Sequence, residues 1–158
     1  MKGKRVSESR AVVSQVMQPS DANTAGNVHG GTITKLVDTA GAIAAIRHAG
    51  RPVVTVVIDT MTFHEPVFVG NLLTLEAQVN WVGRTSIEVG VKVTAEDLIT
   101  GRKSHTSSAF VVYVALDENR KPTGVIPLIA ESEEEQKRLL AAGARRERRL
   151  REAKAGDP

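Results

Sequence analysis

Apolar and polar residues alternate over two long stretches in the middle of the chain. From Leu72 to Val82, Leu73, Leu75, Ala77, Val79 and Trp81 interleave with Thr74, Glu76, Gln78 and Asn80. From Thr85 to Glu96, Ile87, Val89, Val91 and Val93 interleave with Glu88, Gly90, Lys92 and Thr94. A period of two predicts β-strands with one buried face and one wetter face. Val53 to Phe63, dominated by Val, Ile and Thr, reads as another strand, and so does Ser104 to Leu116 around Phe110-Val111-Val112-Tyr113-Val114. Ala11 to Met17 makes a short first strand. The links Val82-Gly83-Arg84 and Asp97 to Arg102, with Gly101, are short enough for antiparallel hairpins.

After the first strand the period changes. Pro19-Ser20-Asp21 breaks it, and a helix is expected from Thr32 to Ala49, stopped by Gly50-Arg51-Pro52. At about 100° per residue, Ile33, Leu36, Val37, Ala40, Ile43, Ala44 and Arg47 form one side, an apolar stripe for the sheet to cover. The other side holds Thr34, Asp38, Gly41, Ala42, Ala45 and Ala49. Exposed helix faces normally carry Lys, Glu or Arg, so this small, nearly uncharged side predicts close approach by another surface. Glu131 to Lys154, after Pro127, reads as a second, highly charged helix. One strand, one long helix, then four strands is an α+β arrangement: a curled antiparallel sheet wrapped on a central helix.

Composition narrows the chemistry. The chain of 158 residues is 41% hydrophobic but only 3% aromatic, so its core is built from Val, Ile, Leu and Ala. It has no cysteine, which excludes disulfides, thiolate metal sites and a Cys nucleophile and fits a cytoplasmic protein. Residues 1–17 lack the apolar run of a signal peptide, and no run approaches the roughly 20 residues that span a bilayer, so no membrane insertion is expected. The formal charge of +3 is uneven: residues 136–158 hold eight Lys/Arg against three Asp/Glu. The basic character therefore belongs to a tail, read mainly as a solvated helix end. The body has no basic stripe with interleaved aromatics, and no nucleic-acid partner is expected.

The densest chemistry lies in Asp21-Ala22-Asn23-Thr24-Ala25-Gly26-Asn27-Val28-His29-Gly30-Gly31 and in Asp38, about two helical turns further on. Gly30-Gly31 at a helix start would leave backbone N–H groups free beside the positive end of the helix dipole, an oxyanion or anion site. The alternative is that the glycines merely permit a tight turn of positive φ. Asn23 either donates its amide to the same oxygen or caps the turn. Asp38 is the only acidic side chain on the helix, where propensity does not explain it. His29 reads as a structural turn residue before it reads as a general base. His48, His64 and His105 are dispersed without metal-ligand spacing, so no metal is expected.

The order Asp21-Ala22-Asn23-x-x-Gly26-Asn27-Val28-His29-Gly30-Gly31-Thr32-Ile33, then Asp38-x-Ala40-Gly41 and Arg47-His48, strongly resembles the hotdog-fold acyl-CoA thioester hydrolases. The resemblance is to the cytosolic (brain-type) enzymes and their bacterial single-domain counterparts. Met61-Thr62-Phe63-x-x-Pro66-Val67-x-x-Gly70 and Thr85-Ser86-Ile87-Glu88-Val89 match as well. It implies a single hotdog domain over 1–130 with a charged C-terminal helix or tail over 131–158. It also implies hydrolysis of fatty acyl-CoA to fatty acid and CoA, with no cofactor beyond the CoA of the substrate. The catalytic pair would be Asn23 of one subunit and Asp38 of the other, with backbone N–H groups around Gly31. Substrate contacts fall on His29, Gly30, Arg84, Thr85, Ser86 and Lys103. A homodimer is the minimal unit, extended to a hexamer as a trimer of dimers. Rival readings are a non-catalytic acyl-CoA-binding hotdog protein, a thioesterase acting on acyl carrier protein, and a hydratase working through His29.

Overall fold

A computed structural model describes residues 2–156. Strands β1 (Lys4–Arg5) and β2 (Ala11–Val16) come first, then helix α1 (Gly30–Ala49). Strands β3 (Val53–Phe63), β4 (Leu72–Val82), β5 (Ser86–Glu96) and β6 (Lys103–Ala115) follow, and short β7 (Leu128–Ile129) precedes helix α2 (Glu133–Lys154). The main sheet is antiparallel in the order β2-β4-β5-β6-β3. The parallel pair β1–β7 went unseen because two residues carry no period.

The inner face of the sheet is the row set that the alternation predicts. Leu73, Leu75 and Val79 of β4, Ile87, Val89 and Val93 of β5, and Val111 and Tyr113 of β6 are fully buried. They pack with Ile33, Val37, Ala40 and Ala44 of α1. Each Val, Leu or Ile among them contributes about 1.5–3 kcal/mol by leaving water, so this seam sets how α1 lies on the sheet.

Two expectations change. α1 begins at Gly30 rather than Thr32, because His29 caps it: the Gly31 N–H donates to His29 Nδ1 at 3.3 Å. Its buried stripe also includes Gly41, Ala45 and His48, while Arg47 is exposed. The small residues are covered by the chain's own sheet, since a Cβ at Gly41 would collide with the Tyr113 hydroxyl. For Gly41 and Ala45, the inference of a second approaching surface is therefore corrected.

The outer face is drier than alternation suggests. Glu88 is fully buried there, beneath α2, where Arg145 donates to both its oxygens at 2.7 and 3.1 Å. Arg148 and Arg149 reach Asp59 at 2.6 and 2.9 Å. These three arginines are anchors rather than a solvated helix end. A register shift between Thr55 and Val57 makes this possible. Unbroken alternation would put Asp59 on the inner face with Thr55; the extra residue turns it outward, opposite Phe110.

Candidate active site

Asn23 shapes the loop before α1. Its Oδ1 accepts from the Ala25 and Asn27 N–H groups at 3.0 and 3.2 Å, and its own N–H donates to Asn27 O at 2.7 Å. With the oxygen used inward, the Nδ2 amide is left as a donor without a partner among the described residues. Capping and donation are thus compatible in one side chain. The loop is tied down by Val28 N–H to Val67 O at 2.7 Å and His29 N–H to Asp21 O at 2.7 Å. Its positive-φ residue is Gly26, at 90°.

Gly30 and Gly31 do not have positive φ. A Cβ would meet only the Phe63 ring at 3.6 Å or the His29 ring at 3.5 Å, ordinary contacts. The tight-turn explanation fails, and nothing inside the chain demands a bare helix start. Against expectation the Gly31 N–H is not free, because His29 Nδ1 accepts it; Gly30 N–H has no acceptor among the described residues. The start of α1 is therefore an unobstructed positive dipole end with one open backbone donor and one open amide.

Asp38 is half-buried on α1 and gripped from the sheet. Thr55 of β3 and Tyr113 of β6 are register partners on the inner face. Thr55 Oγ1 donates to Asp38 Oδ1 at 2.7 Å, and the Tyr113 hydroxyl lies 2.8 Å from Asp38 O and 3.3 Å from Oδ1. Burial, then the charge and hydrogen bond of Asp38, push the Tyr113 hydroxyl far above its ordinary pKa, so it stays a donor. Oδ1 is held and Oδ2 carries no protein hydrogen bond among the described residues. That is the geometry of an oriented base or nucleophile.

Within one chain the two halves do not meet. Gly31 and Asp38 are seven positions apart on one helix, or about 10 Å along its axis. Arg84, Thr85 and Ser86 sit at the β4–β5 hairpin, where Ser86 pairs with Val114 beside Tyr113, and Arg84 has no ion pair among the described residues. Lys103 pairs with Glu96 at the far end of β5, roughly 30 Å away. One chain therefore cannot bring Lys103 and the hairpin to the same phosphate. No group of three or more His, Cys, Asp or Glu able to hold a metal occurs among the described residues.

Thr55 and Tyr113 escaped the sequence reading, although signals exist. Thr55 is a hydroxyl inside a Val-Val-Thr-Val-Val run, and Tyr113 is the one tyrosine, at an inward strand position. A buried phenol needs an acceptor.

Residues 25–101 match the family model of the thioesterase superfamily. The uncharacterized acyl-CoA thioester hydrolase YkhA of Bacillus subtilis is 38% identical over 81% of this chain and 74% of its own length. An acyl-CoA hydrolase from Staphylococcus aureus, solved with butyryl coenzyme A, coenzyme A and coenzyme A disulfide, is 31% identical. It superposes with a TM-score of 0.89 over 98% of this chain and 94% of its own. The same enzyme has been solved with an aspartate, a threonine and an asparagine each replaced by alanine. A hexameric acyl-CoA thioesterase, solved without ligand, is 36% identical with a TM-score of 0.92, covering 97% of this chain and 98% of its own. With this fold, this loop-and-helix arrangement and these relatives, the chain belongs to the thioesterase superfamily, among the hotdog-fold acyl-CoA thioester hydrolases.

Proposed function

We propose that two copies of this chain share each active site and hydrolyse fatty acyl-CoA there to a fatty acid and CoA. The observation that carries this reading is the split site: open donors at Asn23 and the α1 start, an oriented carboxylate at Asp38, and about 10 Å of helix between them. Strand β3 offers a means of pairing. It is an edge strand of 11 residues whose Val54, Val56, Val57 and Ile58 are exposed. The hexameric relative supports further assembly, which we read as a trimer of such dimers. The asparagine, aspartate and threonine replaced in the S. aureus enzyme have the order and spacing of Asn23, Asp38 and Thr55.

In this scheme the thioester oxygen faces Asn23 Nδ2 and backbone N–H groups at Gly30 and Gly31, the latter once His29 turns aside. Such a donor is worth about 3–4 kcal/mol at the transition state. Asp38 Oδ2 takes a proton from water, whose oxygen attacks the carbonyl carbon. The C–S bond then breaks, and the departing thiolate is protonated to CoA. Direct attack by Oδ2 would instead expel CoA thiolate and leave an anhydride that water hydrolyses; oxygen-18 found in Asp38 after a single turnover in labelled water would identify this route, with water attacking the Asp38 carboxyl carbon. Arg84, Thr85 and Ser86 are proposed for the CoA phosphates, with Lys103 serving only from another copy. We place the reaction in the cytoplasm, on the cysteine-free sequence; no helix among the described residues is long and apolar enough to cross a membrane.

Thiol release is measured on an acyl-CoA panel with wild type, Asn23→Ala, Asp38→Ala and a refolded mixture of the two variants. Each variant alone should lose a hundredfold or more, by about 3 kcal/mol. The mixture should recover about a quarter of wild-type activity, since half its dimers carry one intact site. No recovery would place the whole site in one chain. Binding without turnover would favour a ligand-sensing protein, and turnover confined to acyl carrier substrates a different donor.

A further inference from the structure

A groove of about 780 Å³ lies on the face of the sheet turned away from α1 and Asp38. Two cross-strand rows make its floor: Glu76, Lys92 and Ser108, then Gln78, Gly90 and Phe110. The N-terminal half of α2 is its roof, with Ala141 facing in between Arg138 and Arg145. A Cβ at Gly90 would stand 2.6 Å from the Asn80 amide nitrogen, so any side chain here would push Asn80 aside. The glycine lowers the floor and seats Asn80, which is buried with its Oδ1 unpartnered.

The charge in the groove is one-sided. Five cations, Arg10, Lys92, Lys137, Arg138 and Arg145, line it against the acids Glu76 and Glu134. Arg145 is committed to Glu88. Arg10, Lys137 and Arg138 have only loose partners, at 3.7, 3.7 and 3.9 Å, all on the first turn of α2. Lys92, in mid-floor, has no ion pair among the described residues, although Glu76 is its cross-strand neighbour. Val12 and Ala141 supply apolar walls, and Phe110 an apolar end of the floor with the Arg145 guanidinium stacked 3.6 Å over its ring. An apolar trough of this size with an uncommitted ammonium on its floor suits an amphipathic anion.

We propose that this groove is a second binding site, for a long-chain carboxylate lying over Gly90 and along the edge of Phe110 with its head group on Lys92 and the cations of the rim. The ligand is the product class of the proposed reaction, but binding at this face does not depend on that reaction.

The test is titration of the full chain with oleate at submicellar concentration, read by calorimetry and by Trp81 emission. Trp81 is the only tryptophan, adjoins Asn80, and lies under α2 with Arg146 5.0 Å over its ring. Saturable binding is expected. Lys92→Glu should weaken it about tenfold or more, as should replacing oleate by oleyl alcohol. Ala141→Phe, which fills the trough from an exposed helix position, should abolish it while leaving thiol release unchanged. Oleate binding unaffected by either variant would overturn the proposal and assign the ligand elsewhere, the catalytic site included. A change in sedimentation in both variants, with oleate affinity intact, would equally overturn it, making this face a contact between copies. Neither result depends on turnover, so failure here is distinct from failure of the proposed function.

Discussion

Replacing Thr55 by valine isolates the hydrogen bond that aims Asp38. The hydroxyl donates to Asp38 Oδ1 at 2.7 Å from a β-strand position that valine fills with nearly the same shape. A hydrogen bond to a charged group is worth about 1.5–3 kcal/mol, so its loss at the transition state would cost about ten- to 150-fold in kcat/KM. The Tyr113 hydroxyl, 3.3 Å from the same oxygen, can take over part of the load, which places the expected loss near the lower end. In the proposed site Thr55 acts through Asp38, so the loss should fall on kcat with KM nearly constant. Valine suits a strand at least as well as threonine, so Tm should hold. The assay is steady-state thiol release from a single acyl-CoA, with Thr55→Ser alongside. Serine keeps the donor and should recover most of the loss. Activity within about twofold of wild type in Thr55→Val, or an equal loss in Thr55→Ser, would refute the orienting role.

Gly41→Ala should destabilise the protein by about 1–3 kcal/mol. The collision with Tyr113 outweighs the gain of about 1 kcal/mol in helix propensity, and adding Tyr113→Phe should return part of the loss in a denaturant titration. Glu88→Ala should cost about 3 kcal/mol, since it leaves the largely buried Arg145 facing no carboxylate while Arg149 keeps only Asp59; faster proteolysis within α2 would accompany it. His48 gives a pH dependence. Burial lowers its pKa more than the hydrogen bond to Ile126 O restores it. The folded chain holds it neutral while the unfolded chain protonates near pH 6.5, so stability should fall as pH drops below about 6.5 and level off under the folded value. His48→Gln should flatten that slope in denaturant midpoints measured between pH 8 and 5.

The strands could be read from the chain because period-two alternation reports directly which side of a strand meets the core. Leu73, Leu75 and Val79 face inward as their spacing says. The loop-and-helix motif was legible for a similar reason: Asn23, the glycines and Asp38 are neighbours in sequence, and local geometry places them. Other features are set between segments distant in the chain. Asp38 is met by Thr55 across 17 residues and by Tyr113 across 75, through a register that no local pattern encodes. The bulge after Thr55 turned Asp59 outward and made arginines of an apparently solvated helix into anchors. Glu88 alternates like any solvent-facing residue and is nevertheless fully buried, because α2 returns from more than 50 residues away to cover it. Alternation tells a side chain which face it is on. What covers that face is decided by the packing of the whole chain.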